Sequence, residues 1–386
     1  MTTVYLIRHA QAEGNLYRRC HGWYNGLITE KGYRQIDALA KRFQKIPIDA
    51  VYSSDLFRTM TTARAILRSR PLSLRVDPDL REIGGGCWED HTWGELLRRD
   101  QESMLAFLRC DPAWQVPGSE TYPGVQARFR GAVERIAASH PNQTVAAFAH
   151  GSAIRSGLAA WLDLSMERMG EIPLGDNTCV AKLEFENGSC RVCYYNDASH
   201  LGNLAGSPRR GDGSGDTKAK DLAAVSLYFV PLHLPEQKEL YLSARQEGWM
   251  ASHGTMERFD GPAFLATAQR NHDFSADSVL MAMAGDNPVG ILQMDFQQEA
   301  EKKIGRVPFF YVMPGYRSRG LGIQMLGQAI SAFRSRGRQY IRLRCAPEND
   351  RAKKFYQSHS FYKVGEEPGG IGHLDTMEKY IGYVLG

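Results

Sequence analysis

The sequence predicts two α/β domains in one chain of 386 residues. Three observations carry that expectation. Apolar runs of strand length alternate with segments of helical period, the pattern of crossover connections and a largely parallel sheet. A stretch without apolar periodicity, GNLAGSPRRGDGSGDTKAK from Gly202 to Lys220, has the composition of a flexible linker. Its flanks, roughly 200 and 165 residues, are each long enough to hold a core. The expected division is residues 1–201, a linker at 202–222, and residues 223–386.

In the first half TVYLIRH reads as a strand. A helix over Glu30–Phe43 follows, with Ile36, Leu39, Ala40 and Phe43 at i, i+3, i+4 and i+7. IDAVYSS is a second strand, Arg58–Arg68 the helix behind it, and Leu74–Val76 a short strand. Helical patterns follow at Trp93–Leu108 and Gly124–Ser139. TVAAFAH is a continuous apolar strand ending at His150, with a helix from Ala153. Cys179–Glu186 and Ser189–Tyr195 suit a hairpin turning on Asn187-Gly188. The expected fold of this half is an α/β/α sandwich with a largely parallel sheet.

Composition narrows the function. A formal charge of +4, with no Lys/Arg run resembling a binding stripe, argues against nucleic acid. No apolar stretch approaches the roughly 18 residues of a membrane span. The chain enters a strand without a secretory leader, and its seven cysteines suit reduced thiols, so a cytoplasmic protein is expected. Cys190 and Cys193 lie at i and i+3 on a strand and point to opposite faces, so no metal site is expected. Cys345 and Arg351 have the spacing of a thiol phosphatase loop, but Glu348 and Asp350 between them would repel phosphate.

Strand ends supply the chemistry. In an open parallel sheet, ligands bind beyond the carboxyl ends of the strands. The first strand ends in Arg8-His9, the second in Ser53-Ser54-Asp55 with Arg58 a turn later. The buried strand ends in His150-Gly151, before a helix whose first amides favour an anion. Two guanidiniums suit phosphate oxygens, and a neutral imidazole can attack phosphorus. Glu82, in the Gly-rich LREIGGGCWED, offers an acid for the leaving alkoxide.

These segments, in this order, resemble the histidine phosphatase (phosphoglycerate-mutase-like) superfamily across about residues 1–200. LIRHAQAEGN is similar to the signature segment, with Ala10 for the usual Gly and Ala12 for the usual Thr. GWYNGLITEKGYRQ matches through Gly22, Leu27, Thr29, Gly32 and Gln35, and YSSDLFRTMTTA, LREIGGGCWED and FAHGSAIR follow. The resemblance implies that His9 is the nucleophile, with Arg8, Arg58, His150 and Gly151 around the phosphate and Asn15 adding a polar contact. Glu82 would act as general acid and then base, with no cofactor. Ala10 bears on how closely the backbone approaches phosphate, because only Gly lacks a Cβ. No long basic insert follows Trp88-Glu89, which favours phosphatase over mutase. Specificity is expected from Trp23-Tyr24, Trp88 and the segment Trp93–Leu108.

After the linker, YFVPLHLPEQKELYLSARQEGWMASHG reads as a strand and a helical region, and DSVLMAMAGDNPVGILQMDF as two strands. In RVPFFYVMPGYRSRGLGIQMLGQAISAF a strand ends at Met313-Pro314 and a helix begins near Leu321. Arg317, Gly320 and Gly322 resemble motif A of the GNAT acetyltransferase superfamily. Asn349, Ala352, Phe355, Tyr356 and Phe361 are similar to a second motif, with Ser360 where Gly is common. The resemblance spans roughly residues 225–386 and implies a GNAT fold with a mixed sheet. It implies acetyl-CoA on the amides of Arg319, Gly320, Leu321 and Gly322, flanked by Arg317 and Asn349. Pantetheine would lie along the splayed strand end Tyr311, Val312 and Met313, with Tyr356 protonating the thiolate. His233, His253, Glu257 and Glu299 remain candidates for the base. The expected function is hydrolysis of a small phosphomonoester together with acetyl transfer to an amine. Two alternatives stay open: a noncatalytic acyl-CoA-binding second half, and a mutase or phosphate-binding scaffold in the first.

Overall fold

The computed structural model describes residues 1–206 and 225–383. The chain divides into two compact units, Met1–Leu222 and Ala223–Gly386.

The first unit is built on a six-stranded sheet in the order β3-β2-β4-β1-β5-β6. Strands β1 (Thr2–Arg8), β2 (Ala50–Ser53), β3 (Leu74–Val76) and β4 (Thr144–Ala149) run parallel; β5 (Val180–Glu186) and β6 (Ser189–Asp197) close one edge antiparallel. Both faces are covered, which is why the central strands are apolar throughout. Val4, Leu6, Val145 and Ala147 enter one core, and Tyr5, Ile7, Ala146 and Phe148 the other. The hairpin turns on Asn187 (φ 49°) and Gly188 (φ 79°), both in the left-handed region that such a tight turn requires.

Helices α1 (Glu13–Tyr17), α2 (Glu30–Phe43), α3 (Phe57–Leu67), α4 (Trp93–Arg99), α5 (Gln101–Arg109), α6 (Tyr122–Ala138) and α7 (Gly151–Trp161) connect the strands. The single helix expected over Trp93–Leu108 is two. Asp100 leaves helical geometry (φ −150°, ψ 75°) and caps the second by accepting from the Ser103 amide at 3.0 Å. The first residues of the expected linker are held by α2. Leu204 and Gly206 carbonyls accept from Gln35 and Lys31 of α2, at 3.2 and 2.9 Å, so residues 202–206 pack with the first unit. Residues 207–222 of the expected linker lie outside the described residues.

The second unit holds a seven-stranded mixed sheet in the order β12-β13-β11-β10-β9-β8-β7. Its strands are β7 (Tyr228–Pro231), β8 (Val279–Ala284), β9 (Asn287–Asp295), β10 (Ile304–Val312), β11 (Tyr340–Cys345), β12 (Tyr362–Pro368) and β13 (His373–Tyr380). Helices α8 (Leu234–His253), α9 (Gly261–Phe274), α10 (Leu321–Arg334) and α11 (Asp350–Gln357) complete it. The parallel pair β10–β11 stops at Val307 opposite Leu343, while β10 stays paired with β9 as far as Val312. The two central strands therefore part, and the opening between them becomes a cleft.

Candidate active sites

Three parallel strands of the first unit end at one place. His9 follows β1 and His150 follows β4, with ring centroids 5.3 Å apart, both almost fully buried. The His9 amide donates to the Ala149 carbonyl at 3.0 Å, which ties the two strand ends together. His9 Nδ1 lies 2.7 Å from the Ala10 carbonyl; donating there, it leaves Nε2 with the lone pair. Burial and the charges of Arg58 and Arg8 push His9 well below the usual imidazole range. Burial, then Arg58, does the same to His150. Both rings are therefore neutral near pH 7, the state a nucleophile needs.

The cations sit on either side. Arg8 Nη1 donates to the Gly175 carbonyl. Arg58 is fully buried and donates to the carbonyls of His21, Gly22 and Tyr24 at 3.0, 2.7 and 3.0 Å, holding that loop beneath the site. His150 Nε2 bonds the Ser54 hydroxyl at 2.8 Å. What remains is informative. Arg8 Nε, Arg58 Nε and His150 Nδ1 are buried without a hydrogen-bond partner among the described residues. Orphaned buried polar atoms are rare, and three of them lie close to His9.

Glu82 reaches the same cavity from the loop after β3. Its Oε1 accepts from the Ile83 and Ala153 amides, both at 3.0 Å, and Oε2 from Ser152 at 3.1 Å. Residue 150 supplies no side-chain cap to α7, so Glu82 caps it from outside and is fixed by it. Asn15 shares Oδ1 with the Ala12 amide at 3.1 Å and lies 3.3 Å from His21 Nε2. Ala10 takes no left-handed backbone, and its amide donates to Thr62 Oγ1 at 2.9 Å.

The cavity, about 690 Å³, brings Arg8, His9, Asn15, Glu82 and Gly151 together. Arg58 and His150 lie behind this lining. Trp88, Trp93, Phe107, Leu108 and Trp114 wall its far end. Trp23 and Tyr24, expected to shape specificity, are not on the wall: Trp23 Nε1 donates to the Glu82 carbonyl at 2.9 Å and braces the acid instead. Sequence reasoning missed Asn177, whose Nδ2 donates to the His9 carbonyl at 3.0 Å, and Trp114, Arg18 and Arg155 on the wall. The polar run Asp176-Asn177-Thr178 before β5 was the one signal for the first of these.

In the second unit a cleft of about 650 Å³ follows the parting of β10 and β11. Tyr311, Val312, Arg317, Gly320, Gly322, Asn349 and Tyr356 line it. Gly320 caps α10 at φ 73°, a conformation that disfavours side chains, and a Cβ there would meet open space. Asn349 caps α11 by accepting from the Ala352 amide at 3.1 Å. Burial drives Tyr356 far above the usual phenol range, so it keeps its proton.

Three expectations change. Met313 is off the cleft wall and donates its amide to the Val289 carbonyl on the β9 side at 2.9 Å, while the edge of β10 unpaired with β11 is Pro308–Val312. Arg317 is engaged by Glu247 at 2.5 Å and the Val312 carbonyl at 2.8 Å, and braces the loop. Arg319 lies over the Tyr316 ring at 5.7 Å, off the cleft wall. Leu321, of which only the amide was expected at the cofactor, keeps its side chain in the core. Among the base candidates His253 alone lines the cleft. Glu299 is held by Arg306 and Arg342, Glu257 is exposed, and His233 precedes α8.

Comparison with known proteins agrees with both geometries. Residues 4–198 match the family model of the histidine phosphatase superfamily (branch 1), and the chain belongs to that superfamily. Residues 239–361 match the acetyltransferase (GNAT) family, so the chain joins a histidine phosphatase domain to a GNAT domain. Phosphoserine phosphatase 1 of Hydrogenobacter thermophilus is 26% identical over 204 residues, covering 53% of this chain and 96% of that protein. The bifunctional protein Rv2228c of Mycobacterium tuberculosis is 35% identical over 202 residues, 52% of this chain and 55% of that one. Among solved structures, Bacillus stearothermophilus YhfR superposes with a TM-score of 0.51 at 30% identity, covering 52% of this chain and 99% of that one. No helix among the described residues is long and apolar enough to cross a membrane.

Proposed function

We propose that the chain is a bifunctional enzyme: a phosphomonoester phosphatase working through a phosphohistidine, and an acetyl-CoA-dependent N-acetyltransferase. The observation that carries the first activity is the trio of orphaned donors, Arg8 Nε, Arg58 Nε and His150 Nδ1, gathered around a neutral imidazole. A phosphoryl group would meet Arg8 at the cavity wall, with the Arg58 charge and the His150 ring standing behind His9. His9 Nε2 attacks phosphorus, the P–O bond to the alcohol breaks, and the alkoxide takes a proton from Glu82. Water then attacks the phosphohistidine, Glu82 takes its proton, the P–N bond breaks, and phosphate leaves. Hydrolysis rather than transfer within the substrate fits the phosphoserine phosphatase relatives and the short path from Glu89 to α4.

His9→Ala is expected to abolish turnover of phosphoserine and other phosphomonoesters, because His9 lines the cavity with Nδ1 held by the Ala10 carbonyl and Nε2 left as the attacking lone pair. Acid-labile, base-stable phosphate on His9 after a rapid quench supports the reading. Turnover surviving the substitution overturns it.

For the second activity the residues fit an acyl-CoA. The unpaired edge Pro308–Val312 can receive a pantetheine strand, and the backbone at Ser318, Gly320 and Gly322 can receive pyrophosphate. The bound thioester supplies an activated acetyl carbon. Tyr356 donates a proton to the departing thiolate. His253, which burial holds below the usual imidazole range and hence neutral, accepts the proton of the attacking amine. Calorimetry with acetyl-CoA and thiol release over an amine panel test this, and binding without release would leave a sensing module.

A further inference from the structure

The second cleft has an unusual charge balance. Its lining includes Arg245, Arg317, Arg344, Arg351, His253 and His359, and no aspartate or glutamate among the described residues. Arg317 is neutralised by Glu247, and Arg351, beside the helix cap Asn349, falls in the half that would hold the cofactor. Arg245 and Arg344 have no such account.

Their neighbours make the contrast. On β10, Arg306 pairs with Glu299 and Glu367, at 3.1 and 2.7 Å. On β11, Arg342 pairs with Glu299 and Glu378, at 2.8 and 2.6 Å. Arg344 is the next residue on that same face, since alternate residues of a strand share a face. It is exposed at the cleft, and no carboxylate lies within 4 Å of it among the described residues. Glu367, the acid whose carboxyl feels its charge, is taken by Arg306. Cys345 points the other way, towards Tyr356.

Arg245 reaches the cleft from α8. It is only 8% exposed, yet its partners are all neutral: Tyr241 OH and Gln293 Oε1 at 2.8 Å, and the Pro308 carbonyl at 3.4 Å. The Phe309 and Phe264 rings pack on it at 3.9 and 4.5 Å. A buried cation without a counter-ion is costly. Arg344 adds to that cost, because its charge opposes that of Arg245. Trp249 Nε1, a third donor on this wall, is buried without a partner among the described residues.

We propose that this half of the cleft binds the acid group of the acyl acceptor, and that the acceptor is an amine carrying a carboxylate or a phosphate. The inference rests on the acetyltransferase reading above and deepens it. An anion between Arg344 and Arg245 compensates both guanidiniums and can take the Trp249 indole hydrogen, with its amine directed at the parted strands. A polyamine or other multiply cationic acceptor would meet two uncompensated positive charges and no carboxylate.

The test uses the full chain. Acetyl-CoA binding is measured by calorimetry, and thiol release is followed with matched acceptors: an α-amino acid, its amide, a diamine, ethanolamine and O-phosphoethanolamine. An acidic amine is expected to exceed its neutral and cationic counterparts on the order of tenfold or more in kcat/KM. For the amino acid this preference would hold although its amide has the weaker base and so more neutral amine. Which of the two acidic amines leads separates carboxylate from phosphate. Arg344 is exposed, so its replacement leaves the core intact. Arg344→Gln should raise KM for the acidic amine on the order of tenfold with a smaller change in kcat, and Arg344→Glu should move the preference towards the diamine. Preference of the wild type for the diamine overturns the proposal. So does a loss in Arg344→Gln that appears equally in acetyl-CoA affinity, which would make Arg344 a cofactor contact. A wild-type chain that binds no acetyl-CoA removes the acetyltransferase reading, and the acceptor site with it.

Discussion

Two imidazoles kept neutral by burial make the phosphatase site acid-sensitive in a specific direction. In the unfolded chain His9 and His150 have ordinary pKa values, about 6.5; in the folded chain burial and the arginine charges hold both well below that. As pH falls below about 6.5 the unfolded state gains protons that the native state refuses, so stability is lost towards acid, by up to about 1.4 kcal/mol per pH unit for each group. His200, lowered to about 4 by burial, adds to the same slope. Urea unfolding of the first unit's transition at pH 7 and pH 5 should show this fall, and His9→Asn should lessen it by about one proton's share. Equal slopes would mean that His9 titrates normally in the fold. Glu82 gives a second residue-level prediction. Glu82→Gln should lose on the order of 10²–10⁴ in phosphorylation rate with alkyl esters, whose leaving alkoxide needs a proton, and far less with nitrophenyl phosphate. A burst followed by slow turnover should appear with the nitrophenyl ester, since the phosphohistidine still lacks its base. Equal losses in the burst rate for both esters would mean that Glu82 acts only through the Ser152 and Ala153 amides it holds. Arg8, His9, Glu82 and His150 were legible because strand ends and loop positions are local sequence features. Arg18, Trp114 and Arg155 reach the cavity from a short helix end, a loop and a helix, and nothing local marked them.

At the scale of elements, most strands and helices were legible where one period dominates. The helix Glu30–Phe43 and the hairpin on Asn187-Gly188 have strong local signals, an amphipathic stripe with Thr29 capping it and a turn that needs two left-handed residues. Helix α9 and strand β13 were not assigned, although Asp260 with Pro262 is a helix-start pattern. The parting of β10 and β11 had no sequence signal of its own, because it depends on which strand pairs β10 on each side. That opening makes two substitutions informative. Gly320→Glu places a side chain and a negative charge on a left-handed cap facing the cleft, and should weaken acetyl-CoA binding on both counts. Tyr356→Phe removes only the hydroxyl from a ring packed between Phe355 and Phe361, so binding should survive while acetyl transfer slows. Unchanged turnover in Tyr356→Phe would make Tyr356 a packing residue.

At the scale of the molecule, each unit has its own sheet, and among the described residues these hold six and seven strands with none shared. The helices that cover each sheet come from the same stretch of chain as its strands. Stability should therefore divide as the chain does. A cut between residues 207 and 222 should yield two soluble pieces with separate melting transitions, and the first should keep phosphatase activity. Ligands then assign the transitions, because a ligand raises the midpoint only of the state that binds it. Inorganic phosphate should raise the midpoint of the first piece alone, by binding in the cavity against Arg8 and in the field of Arg58. Acetyl-CoA should raise that of the second alone. In the uncut chain the same two shifts should appear independently, one transition moving while the other stays. If either piece precipitates and recovers when the other is added, the units depend on each other for stability, and a substitution in one site would have to be scored in both activities.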